Sequence, residues 1–134
     1  MMKDILNKSN HPIVNISSLS FSGSGYESGD RKWDATNLVE WCKEQKYKVF
    51  DFPLAAVNLN TMPFRVATLD DFIWQLKRVM ETDLKYPIIF DEKGVICDGW
   101  HRVTKALYEK KSTIKAIRIE KMPEPSGYVK EKSE

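Results

Sequence analysis

With 134 residues, 42% hydrophobic and 30% charged, the chain has the composition of a soluble folded domain, with room for one core and not for two. Its formal net charge of +2 announces no general affinity for nucleic acid, so only a focused basic patch would provide one. No apolar run approaches the roughly 20 residues that span a bilayer, and residues 1–10 lack the apolar centre of a signal peptide. A cytoplasmic protein with no membrane partner is expected.

Along the chain, residues 1–10 are polar. Residues 13–16 form a short strand candidate after the extended His11-Pro12 pair, with His11 read as a surface residue. Residues 17–29 are rich in Ser and Gly, and Gly23-Ser24-Gly25 does not suit the interior of an element. No Gly-Lys-Ser/Thr follows, so the stretch reads as a mobile surface loop and not as a phosphate loop; its functional alternative is a lid over a site. Residues 34–46 read as a helix capped by Asp34 or Thr36, with Leu38, Trp41 and Cys42 on one face. Residues 47–52 are aromatic and β-branched, a strand stopped by Pro53, and residues 54–59 form a second apolar run.

Pro63 and Arg65 precede the clearest helix. Thr68-x-x-Asp71 resembles a capping box with Asp in place of Glu. Leu69, Phe72, Ile73, Leu76, Val79 and Met80 then fall on one stripe, which is expected to be buried core, and Trp74 falls off it, as a partly exposed or interface residue. Cys42 and Cys97 sit in apolar patterns without metal-ligand spacing and are expected to be buried free thiols.

Residues 86–102 are the most informative stretch. Apolar runs at 87–90 and 95–97 flank a polar turn ending in Gly94, which is a hairpin signal, with Asp91 read as a turn residue. After Asp98-Gly99, Trp100 opens a helix in which Val103, Ala106 and Leu107 share a face and Lys110 and Lys111 close the end. A strand that turns through glycine into a helix carrying His101 and Arg102 in its first turn makes an anion site, because unpaired amides, the positive helix terminus and a guanidinium converge there. Phosphate is the usual anion at such a place. Each residue also has a plainer reading: Gly99 as a turn, Asp98 as a helix cap, His101 as a structural histidine, Arg102 in a surface ion pair and Trp100 in packing. Residues 113–119 supply a final strand, and residues 122–134, with Pro123, Pro125 and Gly127, read as a solvated tail. The expected fold is a single compact α+β domain with a small mixed β-sheet and about three helices.

From about residue 49 to 120 the chain resembles the ParB/sulfiredoxin superfamily, particularly its small stand-alone bacterial and phage members. The resemblance rests on the Pro87-Ile88-Ile89 strand, the Asp98-Gly99-x-His101-Arg102 box, the helix from Val103 to Leu107 and the closing strand at 114–119. It implies an N-terminal extension at 1–46, a ParB/sulfiredoxin-like domain at 47–120 and a tail at 121–134. It also implies that Gly99, His101 and Arg102 bind nucleotide phosphates, with Arg65 placed where relatives supply a further basic contact. Two features depart from the family. Trp100 stands where sulfiredoxins carry their catalytic cysteine, and a single Arg after His replaces the arginine-rich box of CTP-hydrolysing partition proteins. Too few residues follow Glu120 for the helix-turn-helix domain of those proteins, so a full partition clamp is not expected.

Three functions follow. The first is a nucleotide-dependent enzyme that hydrolyses a nucleoside triphosphate, ATP or CTP with Mg, or transfers its phosphate. Asp98 and His101 are its catalytic candidates, Gly99, His101, Arg102 and Arg65 its nucleotide ligands, and Asp98 or Asp91 would orient a metal ion or the acceptor. The second is a non-catalytic binding module in which Trp33, Trp74 or Trp100 anchors a protein or nucleic-acid partner. The third is a DNA nuclease or modification accessory, although the chain has no metal-nuclease carboxylate cluster and no basic aromatic stripe.

Overall fold

A computed structural model of the protein describes residues 11–16 and 25–129. The apolar runs predicted at 87–90, 95–97 and 113–119 become three neighbouring strands of a four-stranded sheet, of order β3-β6-β4-β5. Its strands are β3 (Phe50–Pro53), β4 (Ile88–Phe90), β5 (Ile96–Asp98) and β6 (Thr113–Arg118). β4 pairs antiparallel with β5 and parallel with β6, and β3 runs antiparallel to β6 on the outer edge, where Pro53 removes no needed donor.

Alternation along these strands explains their unbroken apolar character. Ile89, Cys97, Ile117 and Ile119 face one side and pack with Trp33, Leu38 and Cys42. Ile88, Phe90, Ile114 and Ala116 face the other and pack with Leu54, Val103 and Ala106. Because both faces are covered, hydrophobic residues are needed at consecutive positions. The first layer is helix α1 (Ala35–Gln45) and the hairpin of β1 (Gly25–Ser28) and β2 (Arg31–Asp34); the second is helix α3 (Trp100–Tyr108) and a 3₁₀ turn at Leu54–Ala56. Helix α2 (Leu69–Glu81) lies against α3. The result is the expected small α+β domain, with three helices and mixed strand pairing among the described residues. No helix among the described residues is long and apolar enough to cross a membrane.

The hairpin prediction at 87–97 is realised with its turn chemistry. Oδ1 of Asp91 accepts from the amides of Lys93 and Val95, and Gly94 takes the positive φ that the reversal requires. The capping box is also present: Thr68 Oγ1 accepts from the Asp71 amide, and Asp71 Oδ2 accepts from that of Thr68. Both cysteines are buried and free.

Five expectations are corrected. Residues 13–16 form no strand, and Ile13 and Val14 are exposed. Of the stretch 17–29 read as a loop, residues 17–24 lie outside the described residues, whereas Gly25–Ser28 is strand β1, paired with β2 across a turn at Gly29. The stretch 122–134 is not a free tail as far as residue 129: Gly127–Tyr128 is strand β7, which adds to β2 in a second, three-stranded sheet. Two indole N–H groups fix the same segment, Trp33 Nε1 donating to the Pro123 carbonyl and Trp41 Nε1 to that of Lys121. Trp33 is accordingly buried and is no exposed anchor.

The fifth correction concerns α2. Its amphipathic pattern is real, but the helix is turned the other way. Val79 is buried, while Leu69, Phe72, Leu76 and Met80 are 73%, 53%, 47% and 55% exposed. Polar contacts set the rotation: Gln75 bonds His101 across the helix pair, and Lys105 of α3 donates to the Met80 and Thr82 carbonyls at the end of α2. A cation at these orphan carbonyls caps the helix and complements its dipole.

Candidate functional site

At the carboxyl end of β5 the chain must leave the sheet and start α3 within one residue. Gly99 does this with φ +112°, a conformation that side-chain-bearing residues rarely adopt. Space imposes a second requirement, since a Cβ there would lie 2.5 Å from Ile88 Cγ2 and 2.9 Å from Arg102 Nη2. Gly99 is the N-cap of α3, and no side chain caps the helix. Asp98 is therefore not the cap that the sequence permitted. The first amides of α3 open instead beside a cavity of about 260 Å³ lined by Asp98, Gly99, His101 and Arg102 from this junction and by Arg78, Glu81 and Thr82 from α2.

Arg102 is held firmly. Its Nη2 donates to Asp98 Oδ2 at 2.9 Å and to the Pro87 carbonyl at 3.3 Å, and the two side chains of the ion pair are only 16% and 17% exposed. Its Nε is buried and makes no hydrogen bond. This is not a solvated surface pair. Asp98 neutralises and orients the guanidinium, so its carboxylate is committed to that partner.

His101 stands between α2 and the loop before it. Nε2 lies 2.7 Å from Gln75 Oε1, and the ring packs on Phe64 with centroids 4.8 Å apart. The amide oxygen requires a proton on Nε2, which leaves Nδ1 as an acceptor when the ring is neutral. Burial, then the Arg78 and Arg102 guanidiniums, push its pKa down from 6.5 to about 4. At neutral pH the ring is uncharged, chiefly because it is buried, with the two guanidiniums adding to the effect. Burial also lowers the Arg78 pKa from its ordinary value, against the opposing pull of Asp98.

The structure thus brings Asp98, Gly99, His101 and Arg102 together, as their sequence adjacency implies. Arg65 is exposed and does not line the cavity, although its neighbour Phe64 touches His101. Asp91 belongs elsewhere: it is buried in the β4–β5 turn and accepts from the Tyr26 hydroxyl at 2.7 Å. Burial first, then Asp91, raise the Tyr26 pKa to about 12. Trp74 and Trp100 are only partly exposed, and Trp100 packs on the core layer behind α3.

Cys97 cannot take over the role of the missing cysteine at position 100. It is buried, its thiol donates to the Ile89 carbonyl, and burial, then the nearby Asp91, push its pKa far up, so it stays protonated at neutral pH. Among the described residues, no group of three or more His, Cys, Asp or Glu is placed to hold a metal ion. A magnesium ion carried on phosphates needs only one or two protein carboxylates, and of the two that line the cavity Glu81 is the one not paired with Arg102.

Arg78, Glu81, Thr82 and Gln75 were not foreseen. Their signal was present as the polar face of α2, with Asp71, Gln75, Arg78 and Thr82 recurring at helical spacing. That face reads as solvated once the apolar stripe is assigned to the core. No family model, curated protein or solved structure matches the chain.

Proposed function

We propose that the protein binds the phosphates of a nucleoside triphosphate, ATP or CTP, at the amino terminus of α3, in the manner of ParB/sulfiredoxin-type proteins, and that it hydrolyses the nucleotide or passes a phosphate on. The observation that carries this reading is the convergence of Gly99, the uncapped amides of α3 and the Arg78 and Arg102 guanidiniums on one cavity. Backbone N–H groups at a helix start suit phosphate oxygens, and arginine adds charge-assisted hydrogen bonds. The Asp98-Gly99-Trp100-His101-Arg102 box adds its resemblance to the family. Phosphoryl transfer asks for positioning and charge neutralisation, which such a site would supply. A cytoplasmic location, where nucleotides are abundant, belongs to the same reading.

A second reading is a module that binds a nucleotide or a phosphate-bearing protein or nucleic-acid partner without chemistry. It is favoured by the engagement of both catalytic candidates, Asp98 with Arg102 and His101 with Gln75. Titration calorimetry with ATP, CTP, GTP and ADP in the presence of magnesium, followed by phosphate-release measurements, separates the two. Binding without release leaves the second reading. Arg78→Ala should weaken nucleotide binding by about 1.5–3 kcal/mol, a ten- to hundredfold effect. Wild-type protein that binds no nucleotide at millimolar concentration overturns the proposal.

A further inference from the structure

The outward face of α2 is unexplained by the pocket. Leu69, Phe72, Leu76 and Met80 form an exposed apolar stripe along a 13-residue helix, on the side away from Gln75 and Arg78. Contiguous patches of this kind are uncommon on monomers. We infer that this face pairs with the same face of a second copy of the chain, the two α2 helices running antiparallel about a two-fold axis.

Charge selects both the occupant and the direction. Asp70 and Lys77 lie about two turns apart on one flank of the stripe. In an antiparallel two-fold pair each flank meets its own copy, reversed, so Asp70 of one chain faces Lys77 of the other, twice over. A parallel pair would instead set this flank against the opposite flank of the partner, so Asp70 and Lys77 would gain no such contact. The apolar side chains fit the same register. With the axis between residues 73 and 74, Leu69 of one copy falls midway between Leu76 and Met80 of the other, which is knob-into-hole spacing. The surface thus complements itself in both shape period and charge, as an isologous interface requires.

Sedimentation equilibrium between about 1 and 100 μM tests this, with circular dichroism confirming the fold of each variant. Wild-type protein should dimerise. Leu76→Glu, at an exposed position, should weaken the dimer by more than about tenfold because it places two charges in the apolar seam. Asp70→Lys and Lys77→Asp should each weaken it by roughly tenfold, and the double reversal should restore it. A monomer throughout the range, as when a different molecule covers the stripe, overturns the inference. So does a dimer indifferent to Leu76→Glu, or a double reversal no stronger than the single ones, as a parallel pair would give.

Discussion

Arg102 does two things at once, and its removal will show both. Its guanidinium faces the cavity, yet it also partners a largely buried carboxylate and the Pro87 carbonyl. Arg102→Ala would leave Asp98 without its counter-ion, and unpaired buried charges are costly. We expect a loss of about 2–3 kcal/mol in chemical denaturation together with the loss of phosphate binding. Asp98→Asn paired with Arg102→Ala should recover part of the stability and none of the binding. The sequence permits a surface ion pair at this position; burial is what changes the expectation. His101 gives a second test. Its pKa is about 4 in the folded protein against 6.5 when exposed, so the unfolded chain binds the extra proton between those values. The stabilisation is complete above about pH 6.5 and is lost as the pH falls towards 4. For a partly exposed ring this amounts to about 1–2 kcal/mol. Denaturation midpoints measured from pH 4 to 7 should therefore rise less steeply in His101→Gln than in the wild type. A phosphate in the cavity should move the ring titration upward, which proton NMR would detect.

At the scale of elements, the β5–α3 junction is where backbone and site meet. Gly99→Ala would combine a disfavoured positive φ with a Cβ inside contact distance of Ile88 and Arg102. A cost of about 2–4 kcal/mol is expected from the left-handed strain and the displaced core side chain, visible as a lowered urea midpoint. This junction was legible in the sequence because its requirements are local: a short apolar strand, a glycine and a run of helical period. The Thr68 capping box and the Asp91 turn were legible for the same reason. The rotation of α2 was not. An apolar stripe establishes that a helix is amphipathic, but which face turns inward depends on what lies opposite. Here His101 and Lys105 of α3 take the polar face. The site residues supplied by α2 were hidden by that single ambiguity, while those supplied by α3 were not.

At the scale of the molecule, residues 25–46 and 121–129 form one structure with the sheet between them. Ser126 shows how. Asp34 is the N-cap of α1 but makes no side-chain cap, and the Ser126 hydroxyl instead accepts from the Asp34 amide at 3.0 Å and from Asn37 Nδ2 at 2.7 Å. Ser126→Ala should cost about 1 kcal/mol, comparable with losing an ordinary helix cap, and should leave nucleotide affinity unchanged. Thermal melts and calorimetry on one sample would check both. No pattern within either segment reveals that pairing. The Pro- and Gly-rich stretch reads as solvated because its partners, Trp33, Trp41 and the β2 edge, lie about 80 to 97 residues earlier in the chain.

The distance along the chain between Trp33 and Pro123 also orders events in time. The contacts among β4, β5, α3 and β6 join segments that follow one another closely and can form as soon as those residues exist. The β1–β2 hairpin and α1 are local as well, but β7 and the Ser126 bonds that complete their sheet arrive only after the central strands have been made. Closing so long a loop is entropically slow. During synthesis, then, the side chains on which Trp33 and Leu38 pack, from Ile89 to Ile119, are made long after them, and the segment around Ser126 is the last piece to join the amino-terminal layer.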